Sequence, residues 1–356
     1  MRRKKVVIAD DSAFMRKVIR EFLSSHPEMD VVAAARNGKE AIEKVKQFRP
    51  DVVTMDVEMP ELDGLHALSW IMEHMPTPVV MLSSLTKEGA EVTFEAIEKG
   101  AVDFIAKPSG TISLDLYKVK REIIEKVLAA SKAKVYPAGQ KPAEAIAGRR
   151  SREEIEKGKV TSQRSSRNIV VIGTSTGGPR ALQQVVTRLP DDIAAPILVV
   201  QHMPPGFTKI LAQRLDSLSA VHVKEADHKE TLQRGVVYIA PGGFHLKVKE
   251  SEGKATAWLT EEPSINGHRP AVDVLFESVS RMDNYQVIAV IMTGMGSDGV
   301  NGLIQLKKAG GVHAIAESEE SCVVFGMPKA AISTQLVDCV APVENIAEKI
   351  LTYINR

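Results

Sequence analysis

Along the first 130 residues, short solid runs of hydrophobic positions alternate with longer amphipathic stretches, which predicts strands alternating with helices. The runs Val6 to Ala9, Val31 to Ala35, Val52 to Met55, Val79 to Leu82 and Phe104 to Ala106 read as strands. Helical spacing over Phe14 to Leu23, Glu40 to Phe48, Leu65 to Met75, Val92 to Lys99 and Leu116 to Ala130 completes five βα units. Regular βα alternation predicts a parallel, doubly wound sheet. The periodicity then fades into a segment punctuated by Pro137, Gly139, Pro142, Gly148 and Gly158, which reads as a linker. From Asn168 the alternation resumes, with strand-like runs at Asn168 to Ile172, Pro196 to Gln201 and Gln286 to Met292. The stretch from Val221 to Leu259 reads as antiparallel. The pattern thus predicts an α/β domain over residues 1–130, a linker over 131–166 and a second doubly wound, mostly parallel α/β domain over 167–356.

Composition narrows the function. A chain of 356 residues with 44% hydrophobic content can build a core in each of two domains. A net charge of +1 argues against a general nucleic-acid binder, and 4% aromatic residues disfavour platforms for stacking bases. Cys322 and Cys339 show no paired or metal-like spacing, which fits a reducing, cytoplasmic setting. The apolar run after the basic start ends at Asp10, too soon for a signal peptide, and no stretch is long enough to insert in a membrane. Charge is uneven, however: Lys126 to Arg167 holds eleven basic residues against four acidic ones. As flexible coil, the linker would span roughly 30–35 Å.

Candidate chemistry lies where strands end. Asp10 and Asp11 close the first strand and Asp56 the third, which are neighbours in a flavodoxin-like order 2-1-3-4-5. Three carboxylates on one edge call for a cation, and an all-oxygen set with open positions suits Mg²⁺. In the second domain, Gly173-Thr174-Ser175-Thr176-Gly177 fits G-x-S-x-G, a glycine-relieved bend that exposes a serine beside the amides of the next helix. His202 follows the Pro196 to Gln201 run, and Asp298 lies in the glycine-rich segment after the Gln286 to Met292 run. Residues that follow parallel strands share one sheet edge, so Ser175, His202 and Asp298 can meet as nucleophile, base and orienting acid. Asp273 is the competing acid, although it reads as a first-turn helix carboxylate. His245 and His268 follow turns and are candidates for substrate contact.

Two sets of motifs resemble known families. Asp10-Asp11, Asp56 before Met59-Pro60 and Asp63-Gly64, Ser83-Ser84, and Lys107-Pro108 together resemble a response-regulator receiver. The resemblance implies that Asp56 accepts a phosphoryl group, that Asp10, Asp11 and Asp56 hold Mg²⁺, and that Ser83 and Lys107 contact the phosphoryl oxygens. It also sets Phe104 where receivers often place a switching aromatic. The Gly173 to Pro179 turn, Gln201-His202-Met203-Pro204, Ala240-Pro241-Gly242, His268-Arg269-Pro270 to Asp273, and Thr293 to Gly299 resemble the chemotaxis protein-glutamate methylesterases. That family implies hydrolysis of glutamyl methyl esters, and deamidation of glutamines, on chemoreceptor cytoplasmic helices. It implies a chemotaxis histidine kinase as phosphodonor, no cofactor in the catalytic domain, oxyanion donors near Thr176, Gly177 and Met295, and substrate contacts from His268 and Arg269.

Two other classes fit less well. A dinucleotide-binding oxidoreductase needs G-x-G-x-x-G, which Gly173, Gly177 and Gly178 do not make. A receiver-coupled transcription factor needs a recognition helix, and nearly 190 residues of α/β pattern offer no such signal.

Overall fold

The computed structural model describes residues 2–107, 115–133, 135, 167–251, 253–283 and 285–355. Pro108 and nearly all of the expected linker lie outside the described residues. In the first domain β1 (Lys4–Ala9), α1 (Ala13–Ser24), β2 (Met29–Ala35), α2 (Gly38–Phe48) and β3 (Val52–Asp56) are followed by α3 (Gly64–His74), β4 (Val79–Ser83), α4 (Lys87–Glu98), β5 (Asp103–Ala106) and α5 (Asp115–Ala130). The five strands pair in parallel in the order β2-β1-β3-β4-β5, as the alternation predicts. Strands β3 and β4 are buried at every position, because helices cover both faces of the sheet. Side chains of Ser12, Asn37, Asp63 and Thr86 cap α1 to α4 by accepting an otherwise orphaned N–H three residues on. The Thr86 cap starts α4 five residues ahead of the expected Val92, because its polar first turn hides the apolar period.

The second domain runs β6 (Arg167–Thr174), α6 (Gly178–Val186), β7 (Ile197–Gln201), α7 (Phe207–Leu218), β8 (His222–Glu225), β9 (Val236–Ile239), β10 (His245–Ser251) and β11 (Lys254–Thr260). It continues through α8 (Val272–Val279), β12 (Tyr285–Ile291), α9 (Val300–Ala309), β13 (Val312–Glu317), α10 (Met327–Ser333), β14 (Cys339–Ala341) and α11 (Val343–Ile354). Seven strands form a parallel sheet in the order β14-β13-β12-β6-β7-β9-β8. One expectation is corrected here: of the strands described in that stretch, β10 and β11 pair antiparallel, while β8 and β9 join the main sheet in parallel. The β8 to β9 connection contains no helix, so in sequence it looks like a meander. The chain leaves β6 toward β7 on one side and returns to β12 on the other, which makes the carboxyl end of β6 a topological switch point, where ligand crevices open.

The two domains share buried surface. Phe94, Ile97 and Phe104 of the first domain lie in one continuous apolar cluster with Leu182, Phe207 and Leu211 of the second. The rings of Phe104 and Phe207 stack with centroids 4.5 Å apart, and Glu98 pairs with Arg214.

Candidate active site

The strand order brings the three candidate residues together. Ser175 leaves β6, His202 leaves β7, and Asp298 follows β12 on the other side. His202 Nδ1 lies 3.2 Å from Ser175 Oγ, and His202 Nε2 lies 2.7 Å from Asp298 Oδ2. The imidazole therefore turns Nδ1 to the serine and Nε2 to the acid, a ring orientation that the sequence does not encode. Asp298 is itself anchored, since Oδ2 accepts the Val272 amide at 2.7 Å and Oδ1 the Asp273 amide at 2.9 Å. Burial alone would raise its carboxyl, but the His202 hydrogen bond and charge, with those two amides, hold it below the usual carboxylate range.

Asp273 serves a different end. Its Oδ1 accepts the amides of Gly299 and Gly302, and its Oδ2 takes Asn301 Nδ2 at 3.1 Å. It braces the segment that carries Asp298 and makes no hydrogen bond to His202.

Local packing explains the glycines of the nucleophile turn. A Cβ on Gly173 would sit 2.4 Å from Val272 Cγ1, and Gly177 takes the left-handed conformation at φ +80°. Only glycine meets both demands without strain. The turn is held on three sides: Ser175 donates its amide to the Thr293 carbonyl at 3.0 Å, while its own carbonyl accepts the Gly178 amide and Gln201 Nε2. Backbone amides of Thr176, Gly177 and Met295 donate to no described residue, which leaves them free for a developing oxyanion. His268 stacks on His202 with centroids 3.8 Å apart and planes 8° from parallel. Burial, then the charge of His202, pushes His268 down to about 3, so its ring stays neutral. Arg269 stands apart from this group, exposed and donating to the carbonyls of Glu261 and Glu262. His245 is fully buried with Nε2 on the Pro263 carbonyl.

In the first domain, Asp10, Asp11 and Asp56 offer carboxylate oxygens within 4.8 Å of one another. Lys107 Nζ lies 2.5 Å from Asp56 Oδ2 and 3.3 Å from Asp10 Oδ2. Burial raises Asp56 to about 6 and also raises Asp10, against the pull of Lys107. Ser83 is buried nearby at the end of β4, its hydroxyl donating to the Gly89 carbonyl at 2.9 Å.

Sequence reasoning assigned no role to Asp103, yet its Oδ2 accepts the Thr176 hydroxyl at 2.5 Å, directly beside the nucleophile. Its signal was faint: a carboxylate opening a strand one residue before the switching aromatic. Gln201 was also missed as a support of the Ser175 carbonyl.

Fold and site together define a hydrolase domain joined to a receiver. The chain matches the CheB methylesterase family over residues 170–350 and the response regulator receiver domain over residues 6–116. It is 56% identical over 356 residues to a protein-glutamate methylesterase/protein-glutamine glutaminase of Geobacillus kaustophilus, covering 100% of both chains. It is 49% identical over 357 residues to the protein of the same name from Bacillus subtilis, covering 99% of each. Among solved structures, the CheB methylesterase catalytic domain of Thermotoga maritima aligns at 50% identity and a TM-score of 0.51, covering 52% of this chain and 97% of that one. The chain belongs to the receiver-linked chemotaxis methylesterase family.

Proposed function

We propose that this enzyme hydrolyses glutamyl methyl esters, and deamidates glutamines, on chemoreceptor cytoplasmic helices through Ser175, His202 and Asp298, and that phosphorylation of Asp56 switches it on. The observation that carries the reading is the hydrogen-bonded series from Ser175 Oγ through His202 to Asp298 Oδ2, at 3.2 and 2.7 Å. His202 Nδ1 takes the hydroxyl proton as Ser175 Oγ bonds to the side-chain carbonyl carbon of the substrate. Asp298, kept ionised, steadies the imidazolium through Nε2–H. The carbonyl oxygen, now an anion, accepts hydrogen bonds from the free amides of Thr176, Gly177 and Met295. Nδ1–H then protonates the departing methanol, or ammonia from a glutamine, leaving an acyl group on Ser175. Water, deprotonated by His202 Nδ1, cleaves that ester to release glutamate and restore Ser175. Because His268 stays neutral against the ring of His202, it adds no repulsion when the imidazolium forms.

The regulatory half of the reading rests on the shared surface. Thr176, one residue from the nucleophile, is 2% exposed and tied to Asp103 of the receiver. Asp103 and Phe104 open β5, and Lys107, the partner of Asp56, follows its end. Asp10, Asp11 and Asp56 would hold Mg²⁺: the donors are all oxygen, and among the described residues buried Asp10 Oδ2 has only the ion pair with Lys107 at 3.3 Å beside it, with no well-aligned hydrogen bond. Magnesium, when bound, supplies positive charge against the phosphoryl oxygens. Asp56, ionised at pH 7, accepts the phosphoryl group from a chemotaxis histidine kinase, and Lys107 moves from carboxylate to phosphate. That exchange disturbs the end of β5 and loosens the contact over Thr176.

The test is direct. Deleting residues 1 to about 160 should release constitutive activity on a receptor fragment, and acetyl phosphate with Mg²⁺ should activate the full chain but not Asp56→Ala. A truncated domain no faster than the unphosphorylated whole rules out inhibition by coverage.

A further inference from the structure

One buried acid near the site takes no part in the chemistry above. Glu317 ends β13 fully buried, on the same sheet edge as Ser175 and Asp298. Three donors converge on it: the Thr293 amide at 2.7 Å, Ser321 Oγ at 2.9 Å and the Cys322 thiol. Both carboxyl oxygens are engaged, Oε2 by the Thr293 amide and Oε1 by the Ser321 hydroxyl, so the side chain is held at two points. Burial pushes the carboxyl above its usual range and these donors offset that only in part, while burial and the neighbouring Glu317 keep the thiol protonated. Ser321 is fixed in turn, its oxygen accepting the Val343 amide at 3.0 Å at the start of α11.

Thr293 carries that anchorage into the nucleophile turn. Its carbonyl accepts the Ser175 amide at 3.0 Å and the Thr174 hydroxyl at 2.9 Å. Its hydroxyl donates to the Thr176 carbonyl at 2.9 Å and accepts the Val324 amide at 3.0 Å. One residue therefore grips the chain on both sides of Ser175. The next residue, Gly294, donates to the Val324 carbonyl and accepts the amides of Gly326 and Met327, so the peptide before the free Met295 amide is pinned as well. Packing leaves little slack, since a Cβ on Gly177 would sit 2.5 Å from Val323 Cβ and 3.2 Å from Thr293 Oγ1.

We propose that Glu317 and Thr293 form a positioning pair that holds the Ser175 hydroxyl and the Met295 amide in register for the tetrahedral intermediate. A buried carboxylate is a costly way to secure one backbone amide, and shape alone could be kept by an apolar residue. What the carboxyl secures, through the Thr293 amide, is the position of Thr293 between nucleophile and oxyanion donor. Displacement of such groups by about 1 Å costs on the order of 100-fold in rate. Both residues are buried beneath the turn, out of reach of a bound substrate, so their loss should fall on kcat rather than on KM.

The test is steady-state hydrolysis of one receptor methyl ester by the full chain, activated with acetyl phosphate and Mg²⁺. Glu317→Gln should lower kcat roughly 10–100-fold while KM stays within about twofold. A folded Glu317→Gln chain with kcat within about threefold of the parent, or one in which KM rises and kcat holds, overturns the pair. Should circular dichroism show that variant unfolded, Thr293 decides: Thr293→Val should lose kcat, and Thr293→Ser, which keeps the hydroxyl, should recover most of the loss. Equal loss in both, or none in Thr293→Val, overturns the proposal. The inference rests on Ser175 as nucleophile, so Ser175→Ala belongs in the same assay. Turnover remaining there would sink the nucleophile, whereas an inactive Ser175→Ala beside a fully active Glu317→Gln would sink only the pair.

Discussion

The Asp103 to Thr176 hydrogen bond offers a way to weigh the closed arrangement in energy. Asp103→Asn is the sharpest perturbation, because it changes one atom. Asp103 Oδ1 accepts the Phe104 amide at 2.7 Å, a contact an asparagine oxygen keeps; the ion pair with Lys126 Nζ at 3.5 Å is lost, but it lies within the first domain and so falls on closed and open forms alike. The change falls on Oδ2, where an amide nitrogen would face the Thr176 hydroxyl and replace a charged hydrogen bond with a neutral one. Charged hydrogen bonds contribute about 1.5–3 kcal/mol and neutral ones about 0.5–1.5, so the closed form should lose about 1–1.5 kcal/mol. That is a factor of roughly 5–12 in the closed-to-open ratio. Starting from a ratio of about 99:1, the open fraction rises from about 1% to about 5–11%. Initial rates of methyl loss from a receptor fragment, without phosphodonor, should rise about 5–10-fold. With acetyl phosphate and Mg²⁺ the variant and the parent should agree within about twofold, since both are then open. An unphosphorylated rate within about 1.5-fold of the parent would refute the reasoning, because the contact would then hold nothing closed.

Two further outcomes follow from the triad. Asp298→Asn should lower kcat by up to ~10⁴, because an amide facing Nε2 leaves Nδ1 without the lone pair that Ser175 needs, while Asp273→Asn should cost far less; the reverse ranking in folded variants would reassign the acid. His268, pushed down to about 3, should show the nitrogen chemical shifts of a neutral imidazole from pH 8 to pH 5. Its protonated form gains population only as pH falls toward that value, so a titration between pH 5 and 8 contradicts the buried stack.

Much of the fold was legible because solid apolar runs and helical spacing report burial directly. Every strand of the first domain lies within a few residues of its expected run, and the three strand ends that deliver Ser175, His202 and Asp298 were readable from β6, β7 and β12. Asp273 does open a helix as expected, but its carboxylate accepts the amides of Gly299 and Gly302 at the start of α9, while Asp298 is the acid that hydrogen-bonds His202. What failed to show was whatever depends on long-range pairing. β8 and β9 carry the same signature whether they run parallel or antiparallel. The Asp103 contact joins residues 73 apart in sequence and two domains, and no local pattern announces it. Glu317 did carry a signal of the kind that exposed Asp56, a carboxylate closing a parallel strand, but its partners Ser321 and Cys322 are ordinary loop residues. The orientation of the His202 ring is set by the anchorage of Asp298 on two amides of α8, a three-dimensional fact.

The central claim is that Ser175 is the nucleophile of a hydrolase acting on receptor glutamates, and one measurement meets it head on. A receptor cytoplasmic fragment bearing both methylated glutamates and glutamines is incubated with the activated full chain or with Ser175→Ala, and its peptides are read by mass spectrometry. The account predicts methyl loss and glutamine-to-glutamate conversion with the parent chain, and neither with Ser175→Ala, whose kcat should fall by roughly 10⁶. Folded Ser175→Ala protein that keeps more than a few per cent of either activity would contradict it.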